Sequence, residues 1–167
     1  NTGRVAGETM QILEEKLEQY IEPWLSNAEL ESINGRRTEI LAHCMKMGKR
    51  EKGIYRLTVP TGGGKTIASL AFALRHAVKH QMDRIIYVIP YTSIIEQNAQ
   101  VFREILGAEN VLENHCNVEY KDSEEFYPMQ LASENWDKPV VVTTNVQFFE
   151  SLFGNKSSKC RKIHNIA

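Results

Sequence analysis

The sequence predicts an α/β domain built on a parallel sheet, and three observations carry that prediction. First, the short apolar runs "RIIYVIP" (84–90) and "PVVVTTN" (139–145) read as strands buried on both faces, the pattern of parallel rather than antiparallel sheets. Second, the stretches around them repeat apolar residues at three- and four-residue intervals, the spacing of a helix with one buried side. Third, the glycine-rich turn "TGGGKT" stands between a β-rich run and an apolar helix. Strands alternating with helices put crossover helices over both faces of the sheet.

Taken in order, Ile12, Leu13, Leu17, Tyr20, Ile21, Trp24 and Leu25 mark a helix within Gly7 to Leu30. Pro23 is expected to end or kink it, because proline lacks an N–H and its ring crowds the preceding turn. A second helix is expected from Ile33 to Met47, with Ile33, Arg37, Ile40, Leu41 and Cys44 on one side and Gly48 closing it. These short helices are read as packing on the domain that follows. After the polar connector "GKREKG" comes "IYRLTV" (54–59), a β-rich run expected to be a strand. The helix "KTIASLAFALRHAVKH", the strand "RIIYVIP" and the helix "SIIEQNAQVFREIL" follow, the last with a stripe of Ile94, Ile95, Ala99, Phe102 and Leu106. Beyond them are a weaker strand near Val111 and Leu112, an acidic solvated loop "VEYKDSEEFYP", and a short helix from Met129 to Trp136. The strand "PVVVTTN" and the helix "VQFFESLF" complete the pattern, with no internal repeat or low-complexity linker.

Composition sets limits on function. With 42% hydrophobic residues the 167-residue chain has enough apolar side chains for a core. Lysine plus arginine (20) nearly balance aspartate plus glutamate (21), so no bulk field draws the chain to DNA or to an anionic membrane, and any nucleic-acid contact must be local. Cys44, Cys116 and Cys160 form no C-x-x-C pair and read as reduced, inert thiols of a cytoplasmic protein. No apolar run reaches transmembrane length, and "NTGRVAGETM" lacks the apolar core of a signal peptide. The start at Asn1 is read as that of an internal piece of a longer protein.

The chemistry concentrates in "VPTGGGKT". Gly62, Gly63 and Gly64 free the backbone to turn tightly and aim its N–H groups inward, a nest for phosphate oxygens at the start of a helix whose dipole adds attraction. Thr61, Gly62, Gly63, Gly64, Lys65 and Thr66 are therefore the candidate ATP-binding stretch of a P-loop. Within it Lys65 is placed to reach the β- and γ-phosphates, and the Thr66 hydroxyl to hold Mg²⁺. Val59 stands where the pattern G-x-x-x-x-G-K-[ST] has its first glycine. The form Pro-Thr-Gly-x-Gly-Lys-Thr is typical of superfamily two helicases, and shifts the reading toward a nucleic-acid motor.

Three stretches, "LTVPTGGGKT", "YVIPYTSIIEQNA" and "VVVTTNVQFFESLF", together resemble the first RecA-like motor domain of the type I CRISPR-associated helicase-nuclease, the Cas-three family. The likeness runs from about Arg36 to the last residue, giving a division into 1–35, a helical linker or nuclease-domain tail, and 36–167, the front of a P-loop RecA-like domain. Each motif falls at the C-terminal end of a strand, the edge where open α/β sheets take their ligands. The resemblance implies ATP and Mg²⁺ as cofactors and single-stranded DNA as partner. It also implies recruitment of the parent protein by an RNA-guided CRISPR surveillance complex. Pro90, Thr92, Ser93 and Gln97 fall in one motif that contacts the DNA backbone, and Thr143, Thr144, Asn145 and Gln147 in another. Hydroxyls and amides suit that task because they hold phosphates without reading sequence. The bland alternative for Thr92, Ser93, Thr144 and Asn145 is helix capping. Asn34, Arg36 and Arg37 lie where such helicases carry a nucleotide-base motif, an exposed solvated arginine being the alternative.

Phe148, Phe149 and Phe153 read as core rather than base-stacking residues. His76 and His80, four apart, read as a solvated helix end suited to the dipole rather than as a metal site. No apolar run ends in the Asp or Glu that ATP hydrolysis needs on a neighbouring strand. The chain is therefore read as stopping before the Asp-Glu box, binding nucleotide weakly without turning it over. Two other classes stay open: a small-molecule P-loop kinase, against which only Arg103 is available between Pro90 and Pro139 as a lid arginine, and a nucleotide-dependent binding module without catalysis.

Overall fold

A computed structural model describes residues 7–27, 33–60, 64–90, 92–114 and 137–144. They fall into two compact units, Thr9–Asp83 and a second running from Arg84 onward with Gly7 and Glu8.

The unit Thr9–Asp83 holds three helices, α1 (Met10–Asn27), α2 (Ile33–Gly48) and α3 (Lys65–Lys79). Met10, Leu13, Leu17 and Ile21 repeat at the spacing of one helical face and are buried. Leu41 and Cys44 of α2 join them, with Ala68, Leu70, Ala71, Leu74 and Ala77 of α3. Full burial of each leucine contributes about 1.5–3 kcal/mol, so this apolar face, rather than helix propensity, sets the packing of α1 and α2 on α3. Burial also pushes the Cys44 thiol above its ordinary value.

Three expectations are corrected in this unit. Pro23 does not end α1, which continues to Asn27. The N–H that proline lacks would have bonded Gln19 O, one turn back, and beyond it the last turn carries the Ser26 hydroxyl donating to Glu22 O (2.9 Å). Ile33 is 70% exposed at the first position of α2, whose buried line is Gly35, Leu41, Cys44 and Gly48. The run 54–59 forms no strand, and Ile54 and Leu57 are exposed. β-Forming side chains do not suffice when no neighbouring backbone completes the ladder, and among the described residues this run has no ladder partner. Instead Tyr55 lies against Phe72 and His76, at ring-centroid distances of 5.1 and 5.9 Å.

In the second unit β1 (Ile85–Ile89), α4 (Thr92–Leu106), a 3-10 turn (Ala108–Asn110), β2 (Val111–Asn114) and β3 (Val140–Thr144) follow in order. The strands form a parallel sheet of order β1-β3-β2. All five residues of the central strand β3 are buried, as the apolar run predicts. Ile95, Ala99, Phe102, Ile105 and Leu106 of α4 are buried as well, and α4 packs on all three strands. The Phe102 ring meets Tyr87 of β1 edge to face at 5.1 Å. Ile94, expected in the stripe, is 42% exposed: it stands about 100° around the helix from Ile95, off the buried line.

The start of this unit is fixed by Asn110. Its side-chain oxygen accepts the Glu8 backbone N–H (2.8 Å) and its amide donates to Leu106 O (2.8 Å) and to Glu8 Oε1 (3.1 Å). The acidic loop, the helix from Met129 to Trp136, the helix "VQFFESLF" with its phenylalanines, Cys116 and Cys160 lie outside the described residues. No helix among the described residues is long and apolar enough to cross a membrane.

Candidate functional site

The phosphate-loop end belongs to the unit Thr9–Asp83. Gly64 precedes α3 at φ 77°, ψ 33°, a left-handed conformation that glycine adopts without steric cost. Its carbonyl accepts the Ala68 N–H (3.0 Å), the first bond of the helix, and among the described residues no side chain caps this N-terminus. Lys65 is exposed and Thr66 half-buried, while Thr61, Gly62 and Gly63 lie outside the described residues. A Cβ built on Gly64 would lie 3.8 Å from Arg37 Cγ and 3.9 Å from its Cβ, so the stem of Arg37 passes directly beside the glycine. Asn34, Arg36 and Arg37 are all exposed on α2, and of the three it is Arg37 that supplies the atoms nearest Gly64.

The second candidate surface is the C-terminal edge of the sheet in the other unit. Ile89 pairs with Thr144, and Asn114 with Thr143, so the three parallel strands end together. Pro90 follows β1 exposed; Thr92 and Ser93 open α4, with Ser93 and Gln97 exposed. The backbone positions of both predicted DNA-contact stretches thus come to the same sheet edge. Their side chains differ: Thr143 and Thr144 are buried, whereas Ser93 is open. Asn145 and Gln147 lie outside the described residues.

Asn114 was not singled out by any sequence signal beyond its place at a strand end. It sits in register with Thr143, and both the Asn114 amide nitrogen and the Thr143 hydroxyl are buried without a hydrogen-bond partner among the described residues. Each such group costs about 1–3 kcal/mol, which marks this corner as one where polarity is kept against stability.

At the opposite end of α3 the histidines depart from expectation. His76 and His80 are half-buried and not a solvated helix end. His76 Nδ1 bonds Gly48 O (3.0 Å) and His80 Nε2 bonds Arg50 O (2.8 Å). Since a carbonyl only accepts, these nitrogens carry the protons. The His76 ring also stacks on Phe72 at 5.5 Å and meets His80 at 4.4 Å. Among the described residues no three His, Cys, Asp or Glu side chains gather as a metal would require.

Electrostatics tie α1 to α3 on the same side. Arg75 Nη2 donates to Glu18 Oε1 (2.6 Å), and Arg75 Nε stands 2.7 Å from Glu14 Oε1 as an ion pair, out of line for a hydrogen bond. Burial raises the Glu14 carboxyl above its ordinary 4.5, and the Arg75 charge only partly opposes this.

The sequence is similar to those of known proteins. Residues 11–165 match the family described as "Type III restriction enzyme, res subunit". The chain belongs to that family. It is also similar to the protein named "CRISPR-associated nuclease/helicase Cas3" from Haloferax volcanii, 33% identical over 133 residues. That alignment covers 66% of this chain and 14% of the relative's length. The resemblance read from the three motifs is thereby borne out at the level of family, and the parallel sheet agrees with a partial RecA-like domain.

Proposed function

We propose that this chain supplies the ATP-binding loop and part of the DNA-contact surface of a motor that translocates on single-stranded DNA, in a parent that also carries a nuclease and acts in CRISPR interference. The observation that carries the reading is the junction of Gly64 and α3. A left-handed glycine leads into a helix that no side chain caps among the described residues, with the exposed Lys65 at its first position. Such a junction suits an anion, through the helix dipole and the N–H groups of the first turn.

In this reading Gly62, Gly63 and Gly64 cradle the phosphates, Lys65 neutralises their charge, and Thr66 contributes its hydroxyl to Mg²⁺, which shields phosphate charge when bound. The donor set fits, since Mg²⁺ takes few protein ligands and completes its shell with phosphate oxygens and water. The stem of Arg37 beside Gly64 supports a nucleotide role for that arginine rather than for Arg36. Thr92, Ser93, Thr143, Thr144 and Asn145 act on the DNA backbone. The exposed Ser93 does so through its side chain, and the buried threonines by fixing the strand ends.

The cellular setting that follows from the reading is cytoplasmic, with the RNA-guided surveillance complex as the parent's partner. The runs of β1 and β3 lead into Pro90 and Thr144 rather than an acidic residue, and Glu113 of β2 is paired with Arg103 (2.9 Å), so in this reading the chain by itself binds Mg²⁺-ATP without steady hydrolysis. The test titrates a fluorescent single-stranded oligonucleotide against the chain with Mg²⁺-ATP present and records phosphate release in the same samples. Oligonucleotide binding that Ser93→Ala weakens, without turnover, is the expected result. Sustained turnover indifferent to DNA would return the assignment to a small-molecule kinase.

A further inference from the structure

We propose that the connector between α2 and α3 is a second polyanion-binding surface, one that takes the phosphate backbone of nucleic acid without reading its bases. Residues 46–56 carry Lys46, Lys49, Arg50, Lys52 and Arg56 against the single carboxylate of Glu51, in a chain whose net charge is −1. All six are exposed. A charge run of this kind is ordinarily a solvated face, and cations near helix C-termini also complement the dipoles. That explanation serves Lys46 and Lys79, in the last turns of α2 and α3. It does not reach Arg50, Lys52 and Arg56, which lie beyond the end of α2 and well before α3.

The structure adds that the connector is held in one shape. Gly48 O accepts from His76, Arg50 O from His80, Lys49 O from the Lys79 ammonium, and Glu51 O from the Tyr55 hydroxyl. Four successive carbonyls are thus occupied by side chains, three of them from α3 and the residue that follows it, while the cationic side chains stand outward. Arg50, Lys52 and Arg56 make no hydrogen bond or ion pair through their side chains among the described residues. Lys79 lies 3.8 Å from Glu51, offsetting the one negative charge in the run. A pinned cationic loop loses little freedom on binding, so its charges act together on a polyanion.

The geometry also selects the ligand's mode. Tyr55, the aromatic residue of the run, is 37% exposed but has its ring engaged by Phe72 and His76, so stacking on a base would compete with these contacts. Binding is then chiefly to phosphates. The surface is separate from the phosphate loop, since α3 places about 21 Å between its first and last residues at about 1.5 Å per residue. The choice of nucleic acid over an acidic protein rests on the function proposed above, in which nucleic acid is the polyanion at hand.

The deciding experiment measures anisotropy of a fluorescent duplex oligonucleotide against the full chain, without nucleotide, across a salt series. It compares the wild type with R50Q/K52Q/R56Q and with the charge-keeping R50K/K52R/R56K. The neutral variant is expected to bind at least tenfold more weakly at low salt, and its slope of log K against log salt to flatten by about 0.9 for each phosphate that is no longer neutralised. The charge-keeping variant retains the wild-type slope. Mg²⁺-ATP affinity of the neutral variant stays at the wild-type value; if the wild type itself binds no ATP, the motor reading fails while the salt slopes still decide this proposal. A neutral variant with the wild-type slope overturns it. Polyglutamate that displaces the duplex at equal charge would overturn it too, in favour of an acidic protein.

Discussion

Replacing Gly48 with alanine tests the packing that joins α2 to α3. An added Cβ would stand 2.6 Å from Arg75 Cβ, 2.8 Å from the Phe72 carbonyl oxygen and 3.4 Å from the His76 nitrogen. Two of these atoms are backbone of α3 and cannot swing aside, so α2 must move off by several tenths of an ångström. Overpacking of this degree costs about 1–3 kcal/mol. The same shift lengthens the His76–Gly48 hydrogen bond, a further loss of up to about 1 kcal/mol. Alanine returns less than about 1 kcal/mol through helix propensity, and less again at the last residue of a helix. The net expectation is a destabilisation of about 1–3 kcal/mol, or about 0.5–1.5 M in urea midpoint for a slope near 2 kcal/mol per molar. Gly53 is the control: nothing lies within 4 Å of its added Cβ and its φ is not positive, so Gly53→Ala is expected to hold or raise the midpoint. Urea unfolding followed by tryptophan fluorescence reads both variants. A Gly48→Ala midpoint at or above the wild type would refute the close approach of α2 and α3.

Asn110→Ala removes a buried side chain that makes three hydrogen bonds and leaves the Glu8 N–H and Leu106 O without it, so a loss of about 2–4 kcal/mol in urea unfolding is expected. For Glu14, the folded carboxyl lies above its ordinary 4.5, so it favours folding below that value and loses this advantage as pH rises through its raised value. Glu14→Gln is accordingly expected to remove part of the decline in thermal stability between about pH 4 and neutrality, and an unchanged pH profile would count against the burial of that carboxyl. Arg37→Ala is expected to weaken Mg²⁺-ATP binding by about tenfold, the worth of one charge-assisted hydrogen bond, while Arg36→Ala leaves it unchanged in calorimetric titration.

Much of the architecture was legible because it depends on local periodicity. The strands at 85–89 and 140–144 and the helices over 65–79 and 92–106 follow from where their apolar residues fall. What periodicity does not specify is the partner. The run 54–59 has the residues of a strand, yet strand formation is a property of a pair of backbones, and no neighbour among the described residues completes it. Ile33 and Ile94 are apolar and fall near the helical spacing of the core, yet both are exposed, one at a helix start and the other a step off the buried line. Pro23 lies inside α1 because proline removes a single N–H, the one facing Gln19 O, and the helix continues beyond it to Asn27.

The site divides in the same way. The candidate phosphate loop is read from glycine, lysine and threonine at fixed offsets, and Gly64 takes a left-handed conformation. The approach of Arg37 to Gly64, and of Asn114 to Thr143, are long-range and invisible to motif reading. His76 and His80 were discounted because spacing shows which residues share a face but not which carbonyls come to meet them.

The motor reading of this chain depends on the junction of Gly64 and Lys65 binding the phosphates of a nucleotide. Calorimetric titration of Mg²⁺-ATP into the chain, wild type against Lys65→Ala and without nucleic acid, measures that binding by itself. Saturable binding is expected of the wild type and at least about tenfold weaker binding of the variant, as removal of one ammonium–phosphate interaction requires. Equal affinity in the two proteins, or no saturable binding in the wild type, would show that the junction is not a nucleotide site.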